Sequence, residues 1–261
     1  MKHFLYFTAI VLLFAGCQAA GDSASPATSN NTTSTQGKAG SMARFGITGN
    51  TLYALSGETV KLFDISAGPT PSTSSTVLLG SGVETIFPYS GKLFFGTQAG
   101  MMIYDNTDPF IPKYLSRYDH IASCDPVVVS GNYAYVTLRA GTNCRHGLNE
   151  LDIVDLSDIM NPKLAISYPM TNPKGLGIDT HSLFLCDGVA GLKIFDITDP
   201  LTLVVKGDYT TDNAYDVIPS GTTALLSNTK TLVMTGDSGI CQYDYSDINN
   251  VKKISEIRVS P

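Results

Sequence analysis

Tryptophan is absent from the 261 residues, and charged residues make up only 15% of them. No block of like charge stands anywhere in the chain, and the apolar share is that of a globular protein, which excludes disorder throughout. Basic residues are scarce, 17 against 23 acidic, for a formal charge of −6. That balance repels nucleic acid and anionic membrane surfaces and excludes the binding classes that depend on a basic patch. Long runs of Ala, Leu, Glu and Lys are missing. No serine elbow, phosphate loop or zinc-binding helix motif occurs, so no familiar catalytic signature is present. What the chain has instead is 24 Gly, 13 Tyr and 11 Phe, a usage that favours short strands and tight turns.

The first 40 residues read as an address and a tether. Lys2 and His3 precede an apolar stretch, Phe4 to Phe14, too short to span a bilayer but of the length of a signal-peptide core. Leu13-Phe14-Ala15-Gly16-Cys17 resembles a bacterial lipobox, although Phe14 is bulky for its position; a plain signal peptide with a chance cysteine is the alternative. The resemblance implies residues 1–16 as signal peptide and a lipid thioether with an acylated amine on Cys17, enough chains for stable anchoring to the membrane. Gln18 after the cysteine resembles the outer-membrane sorting pattern of enteric bacteria, which places the protein in the cell envelope, facing periplasm or surface. Gln18 to Gly40 is rich in Ser, Thr, Ala, Gly and Asn. With so little apolar surface to bury, residues 17–40 are expected to be a disordered linker.

The remainder, residues 41–261, repeats. Lys61-Leu62-Phe63-Asp64, Met102-Ile103-Tyr104-Asp105, Asp152-Ile153-Val154-Asp155, Lys193-Ile194-Phe195-Asp196 and Cys241-Gln242-Tyr243-Asp244 each close an apolar strand on an aspartate, at spacings of 41, 50, 41 and 48 residues. Each copy is followed by Ser or Thr, most of them then by an Asp/Pro turn, and each is preceded by two shorter strand patterns. In the third copy the four strands fall at Asp125–Val129, Tyr133–Leu138, Glu150–Asp155 and Leu164–Tyr168. Four short antiparallel strands make one blade, and a blade that cannot bury both faces alone must stack on others. The predicted fold is all-β, a β-propeller of five four-stranded blades; a β-sandwich is the weaker reading because the repetition is strict. The first copy departs most, with a short loop at Ser56 to Thr59 and a Ser/Thr-rich link from Thr70 to Thr76. The last carries about eight extra residues around Thr222 to Lys230.

Leu151-Asp152-Ile153-Val154-Asp155 resembles the strand for which the LVIVD-repeat β-propellers are named. The resemblance covers all five copies and is strongest from Cys124 to Asp196, where Tyr168-Pro169-Met170-Thr171-Asn172-Pro173 and Cys186-Asp187-Gly188 look like the lipoprotein branch of that family. It implies the fold and little chemistry, so function has to be argued from the site.

Placing the first strand of each blade nearest the axis sends the loops before it, and those joining the second and third strands, to one face of the disc. That face collects His120, Cys124, Asp125, Arg139, Cys144, Arg145, His146, Asn149, Asn172, Lys174 and Asp187. Of these, Asp125, Arg139, Arg145, His146, Asn149, Asn172, Lys174 and Asp187 are the candidate ligand-binding residues. Arg139 and Arg145 suit a carboxylate or sugar, and the long Arg139–Asn149 loop stands out against its short counterparts. The bland alternative is that these are wet turns. Cys124 and Cys144 lie at adjoining ends of antiparallel strands in an oxidising compartment, so a disulfide is expected, the alternative being two free thiols; such a bridge contributes about 3 kcal/mol. Cys186 and Cys241 read as buried apolar residues. No metal or cofactor is expected. The functional expectation is a binding or scaffolding module for an envelope protein or small polar ligand. The alternative is a hydrolase at the axial mouth, for which Asp125, Asp187, Asp212 and Asp216 could supply paired carboxylates.

Overall fold

A computed structural model describes residues 40–67, 70, 72–119, 126–140, 148–209, 213–222 and 230–259. They form five four-stranded antiparallel sheets, each taken from consecutive strands of the chain. Blade 1 is β1 (Phe45–Thr48), β2 (Thr51–Ser56), β3 (Thr59–Asp64) and β4 (Ser72–Leu78). Blade 2 is β5 (Val83–Tyr89), β6 (Lys92–Thr97), β7 (Gly100–Asp105) and β8 (Lys113–Asp119). Blade 3 comprises β9 (Val127–Ser130), β10 (Tyr133–Leu138), β11 (Glu150–Asp155) and β12 (Lys163–Pro169), and blade 4 β13 (Leu176–Asp179), β14 (Ser182–Cys186), β15 (Leu192–Asp196) and β16 (Val204–Tyr209). Blade 5 holds β17 (Ala214–Thr222), β18 (Lys230–Gly236), β19 (Gly239–Asp244) and β20 (Lys252–Arg258). This is the predicted five-bladed propeller. Among the described residues, no strand from one end of the chain completes a blade at the other.

The repeat has a physical cause at the aspartate that ends each third strand. Its Oδ1 accepts the N–H two residues on: Ser66 to Asp64 at 2.8 Å, Ser157 to Asp155 at 2.8 Å, Thr198 to Asp196 at 2.9 Å and Ser246 to Asp244 at 2.9 Å. In blade 2 the Thr107 hydroxyl donates to Asp105 instead, at 2.8 Å. These are side-chain-closed turns that end one strand and aim the chain at the next. A second aspartate repeats the device in blades 2 to 5, where Asp108, Asp158, Asp199 and Asp247 each accept from the N–H two residues on. The hydrogen bonds from the following Ser or Thr hold the carboxyls of Asp64, Asp155, Asp196 and Asp244 below their ordinary range. Just before each aspartate the pairing of third and fourth strands slips, at Leu62/Phe63, Ile103/Tyr104, Ile153/Val154, Ile194/Phe195 and Gln242/Tyr243. A bulge at one place in every copy twists each outer strand in the same sense.

The Ser/Thr-rich stretch after the first copy is not a plain link, since Ser72–Leu78 forms the outer strand β4. An outermost strand has little to bury, and Thr suits extended backbone, so a polar segment serves there. Outer strands are exposed generally; β12, β16 and β20 carry hardly a buried residue. The extra residues of the last copy fall mostly outside the described residues, between β17 and β18.

Packing between blades supplies the core. One apolar cluster joins blades 1 and 2, around Tyr53, Leu62, Ile86 and Phe95. A second runs through blades 2, 3 and 4, and a third joins blades 4 and 5, with Phe184, Leu192, Val217 and Met234. Both lone thiols, Cys186 and Cys241, are buried in this last cluster, as apolar residues of their size should be. Among the described residues, no apolar cluster joins blade 5 to blade 1. Burial of the second strands shows the same seam: β6, β10 and β14 are buried on both faces, whereas β2 and β18 are buried on one face and partly open on the other. The segment leading into β1 lies at the inner edge of this seam. Gly40 and Ser41 are buried, the Leu176 N–H donates to Ser41 Oγ at 2.6 Å, and the Ile86 N–H donates to the Ala43 carbonyl at 3.0 Å. Three residues thus carry the chain across from blade 4 to blade 2.

If the aspartate turn organises the repeat, Asp155→Ala lowers the melting temperature while Asp155→Asn, which keeps an acceptor oxygen, largely retains it. Because the folded carboxyl of Asp155 lies below its ordinary value, the wild-type advantage over Asp155→Ala is complete above the ordinary Asp range. It fades as pH falls through the folded value. Thermal melts of the three proteins between acid and neutral pH check both points.

Candidate functional site

Counting from the strand-ending aspartates, the blades present one equivalent position at the mouth of the axis: Arg44, Thr85, Pro126, Gly175 and Asp216, each just before the inner-strand position held by Phe45, Ile86, Val127, Leu176 and Val217. The first three of them, with Met42, Glu84, Arg139, Pro173 and Lys174, line a cavity of about 260 Å³. The residues come from the lead-in to blade 1, the inner strand of blade 2, the lead-in and long loop of blade 3, and the lead-in to blade 4. A single mouth is therefore built by four blades.

Lys174 is the most constrained of its side chains. Its N–H donates to the Cys186 carbonyl at 2.7 Å, and its own carbonyl accepts from the Thr137 hydroxyl at 2.7 Å. The ammonium donates to Asn213 Oδ1 at 3.0 Å and stands 3.8 Å from the centre of the Tyr215 ring, a cation–π contact that favours the charged form. Tyr215 in turn hydrogen-bonds Asp237. Burial, reinforced by the neighbouring Arg139 charge, nevertheless holds the Lys174 ammonium below its ordinary pKa. A third cation, Arg44, completes a positive lining, and the one acid beside it, Glu84, accepts a hydrogen bond from Gln98 at 2.9 Å.

Other predicted site residues hold this mouth together. Asp187 is fully buried; its carboxylate accepts the N–H groups of Thr171 at 3.0 Å and Asn172 at 2.8 Å, and Lys193 lies 3.0 Å from it. A carboxylate so engaged shapes the 171–174 turn that delivers Lys174, and has no oxygen left for a ligand. Asn149 accepts the Ala140 N–H at 2.9 Å and donates to the Thr171 carbonyl at 2.8 Å, closing the base of the long loop onto blade 4. Asn172 packs against Gly188, where a side chain would collide with it at 3.0 Å. Of the predicted set, then, Arg139 and Lys174 line the cavity, while Asn149, Asn172 and Asp187 frame it. His120, Cys124, Asp125, Cys144, Arg145, His146 and Asp212 lie outside the described residues, and with them the expected Cys124–Cys144 disulfide; so do the expected signal peptide and Cys17. Among the described residues no group of three or more His, Cys, Asp or Glu is placed to hold a metal ion.

Asp216 stands beside the mouth, enclosed by the backbone of blade 4 and the lead-in segment: a Cβ on Gly175 or Gly40 would fall 2.0 or 2.5 Å from its carboxyl oxygens. Its Oδ1 is out of contact with water and unpaired. Desolvation pushes its pKa up to about 7, against a smaller opposing effect of the Val217 N–H. The sequence offers Asp216 only as one of four acids that could serve a hydrolase. The available signal was its register, an acid where the other blades place Thr85, Pro126 and Gly175. Arg44 and Glu84 were missed because nothing in the pattern shows that the lead-in crosses the axis.

The LVIVD repeat profile matches residues 123–170 and 183–211, which are blade 3 and most of blade 4. This chain is a five-bladed β-propeller that carries LVIVD repeats. Among solved structures, this propeller is similar to a functionally unknown protein from Desulfotomaculum acetoxidans, with a TM-score of 0.59 at 11% identity over 81% of this chain and 68% of that one. It is also similar to apo AztD from Citrobacter koseri (TM-score 0.56, 13% identity, 78% and 59% of the two chains). Hsv2 of Kluyveromyces lactis aligns at a TM-score of 0.51 and 10% identity over 80% of this chain, which spans only 59% of that protein's length. At these identities the likeness is of fold alone. No curated protein matches the sequence.

Since the folded Asp216 pKa is raised, the carboxyl resists ionisation in the folded state, and its contribution to stability declines as pH rises from about 4 to about 7. Above that window the full cost remains, on the order of a few kcal/mol. Asp216→Asn is expected to remove this decline and to be more stable than wild type at pH above it. Urea unfolding across that range measures the difference.

Proposed function

We propose that the protein is an envelope lipoprotein whose propeller binds a small anionic ligand, a carboxylate or acidic sugar, at the axial mouth. The observation that carries this reading is the convergence of Arg44, Arg139 and Lys174 on one cavity of about 260 Å³ in a chain whose net charge is −6. Guanidinium groups match carboxylates by paired hydrogen bonds. Burial of Lys174 makes its attraction for an anion stronger than an exposed lysine could offer. A volume of that size suits a ligand of roughly ten to fifteen heavy atoms, near the lower end of ordinary small-molecule sites. The lipobox-like Cys17 and the polar linker after it support a domain tethered to a membrane and free to meet solutes beyond it.

Hydrolysis is supported less well. Asp216, with its pKa near 7, has the protonation state of a general acid. A glycosidic mechanism needs a second carboxylate across a pocket, and Asp187 is committed to backbone N–H groups and Lys193. Asp216 is itself walled off by Gly40 and Gly175.

Thermal-shift titration of the full chain with small carboxylates, uronic acids and neutral sugars tests the binding reading. Acids are expected to raise the melting temperature in a salt-sensitive way, neutral sugars are not, and Lys174→Met is expected to weaken the effect about tenfold or more. Equal response to neutral sugars, or none to any anion, contradicts it. Cys17→Ser is expected to move the protein from the membrane to the soluble fraction.

A further inference from the structure

Blades in this chain have two unlike faces. Each forward face packs on the backward face of the next blade, and among the described residues four such pairings exist. The backward face of blade 1 and the forward face of blade 5 are left over. On the first, Phe45 is 57% exposed although its repeat equivalents Ile86, Val127, Leu176 and Val217 are all fully buried. On the second, Ile240 is 42% exposed although its equivalents Val60, Met101, Leu151 and Leu192 are buried. Ile47 joins Phe45, and Ile218 and Ile257 join Ile240, as large exposed apolar side chains on these flanks.

We propose that these flanks form a head-to-tail interface between copies of this chain, the forward face of blade 5 in one copy docking on the backward face of blade 1 in the next. The occupant follows from the repeat. The surface built to cover Ile240 is a backward blade face carrying a residue of the Phe45 position, and the only such face left uncovered among the described residues is that of blade 1. Repeat faces that stay uncovered in water are polar; these two carry large exposed apolar side chains. Closure within one chain is obstructed by the lead-in segment. Gly40 already lies against the inner edge of the blade 5 flank, where a Cβ would be 2.5 Å from Asp216 Oδ2 and 3.0 Å from Ile218 Cγ1, and Ser41 is pinned to Leu176. That segment covers the inner edge only and leaves Ile240 and Ile257 open to a second copy. Because the two faces differ, the contact is heterologous and propagates until a ring closes.

Analytical ultracentrifugation of the full chain, carrying Cys17→Ser so that lipid contributes nothing, tests the interface. The parent is expected to assemble as its concentration rises through the micromolar range. Phe45→Lys and Ile240→Lys, each at an already exposed site, are expected to sediment as monomers with parental melting temperatures. Their equimolar mixture should yield a one-to-one heterodimer and nothing larger, since each variant keeps the flank the other has lost. A parent that stays monomeric throughout overturns the proposal, as does self-association of either variant alone. A monomeric parent whose melting temperature falls on either substitution would show instead that the flanks are packed within one chain.

Discussion

Everything in this molecule depends on the contact between neighbouring blades. A four-stranded sheet with apolar side chains on both faces has no stable existence in water, and each blade here is such a sheet. Tyr135 and Phe184 on second strands, or Ile153 and Leu192 on third strands, are buried only because another blade lies against them. At about 25 cal/mol per Å² of apolar area, each large side chain so covered stabilises the fold by about 2 kcal/mol. Sheet hydrogen bonds and aspartate turns then decide how each blade is shaped. The stacking decides that it forms at all.

The same stacking creates the site. Where inner strands of successive blades begin, they surround the axis, and whatever side chain stands at that step faces the mouth. Arg44, Thr85 and Pro126 reach it this way, while Gly175 and Asp216 occupy the same step at the far side. The bare Gly175 admits the Asp216 carboxyl, and the turn held by Asp187 raises Lys174 to the rim. A half-buried acid with a raised pKa beside a cationic cavity is thus a result of repeat geometry with a few substituted positions.

The repeat was legible in sequence because each copy ends a strand on an aspartate followed by Ser or Thr, and that pair makes a turn by its own hydrogen bond. The third copy's strands appear within a residue or two of their predicted places. Fourth strands were harder: β4 is Ser and Thr where pattern reading expects apolar alternation, since an outer strand need bury little. Loop order placed Arg139 and Lys174 on one face, and both line the cavity there. Whether Asp187 and Asn149 contact a ligand or hold loops could not be read from residue type, because both roles use a carboxylate or amide in a turn; only their hydrogen-bond partners separate the two. The seam was illegible for a related reason. Phe45 and Ile240 carry the same apolar residue types as their buried equivalents, so sequence gives no sign that their faces lack a partner.

Residue-level hydrogen exchange under native conditions tests most directly the claim that blade-on-blade packing, broken at one seam, governs this fold. Amides of β10 and β14, covered on both faces, should exchange slowest and approach the global unfolding limit, with those of β2 and β18 opening earlier. Equal protection of all five second strands would contradict the account, because it would mean that blades 1 and 5 are as fully packed as the rest.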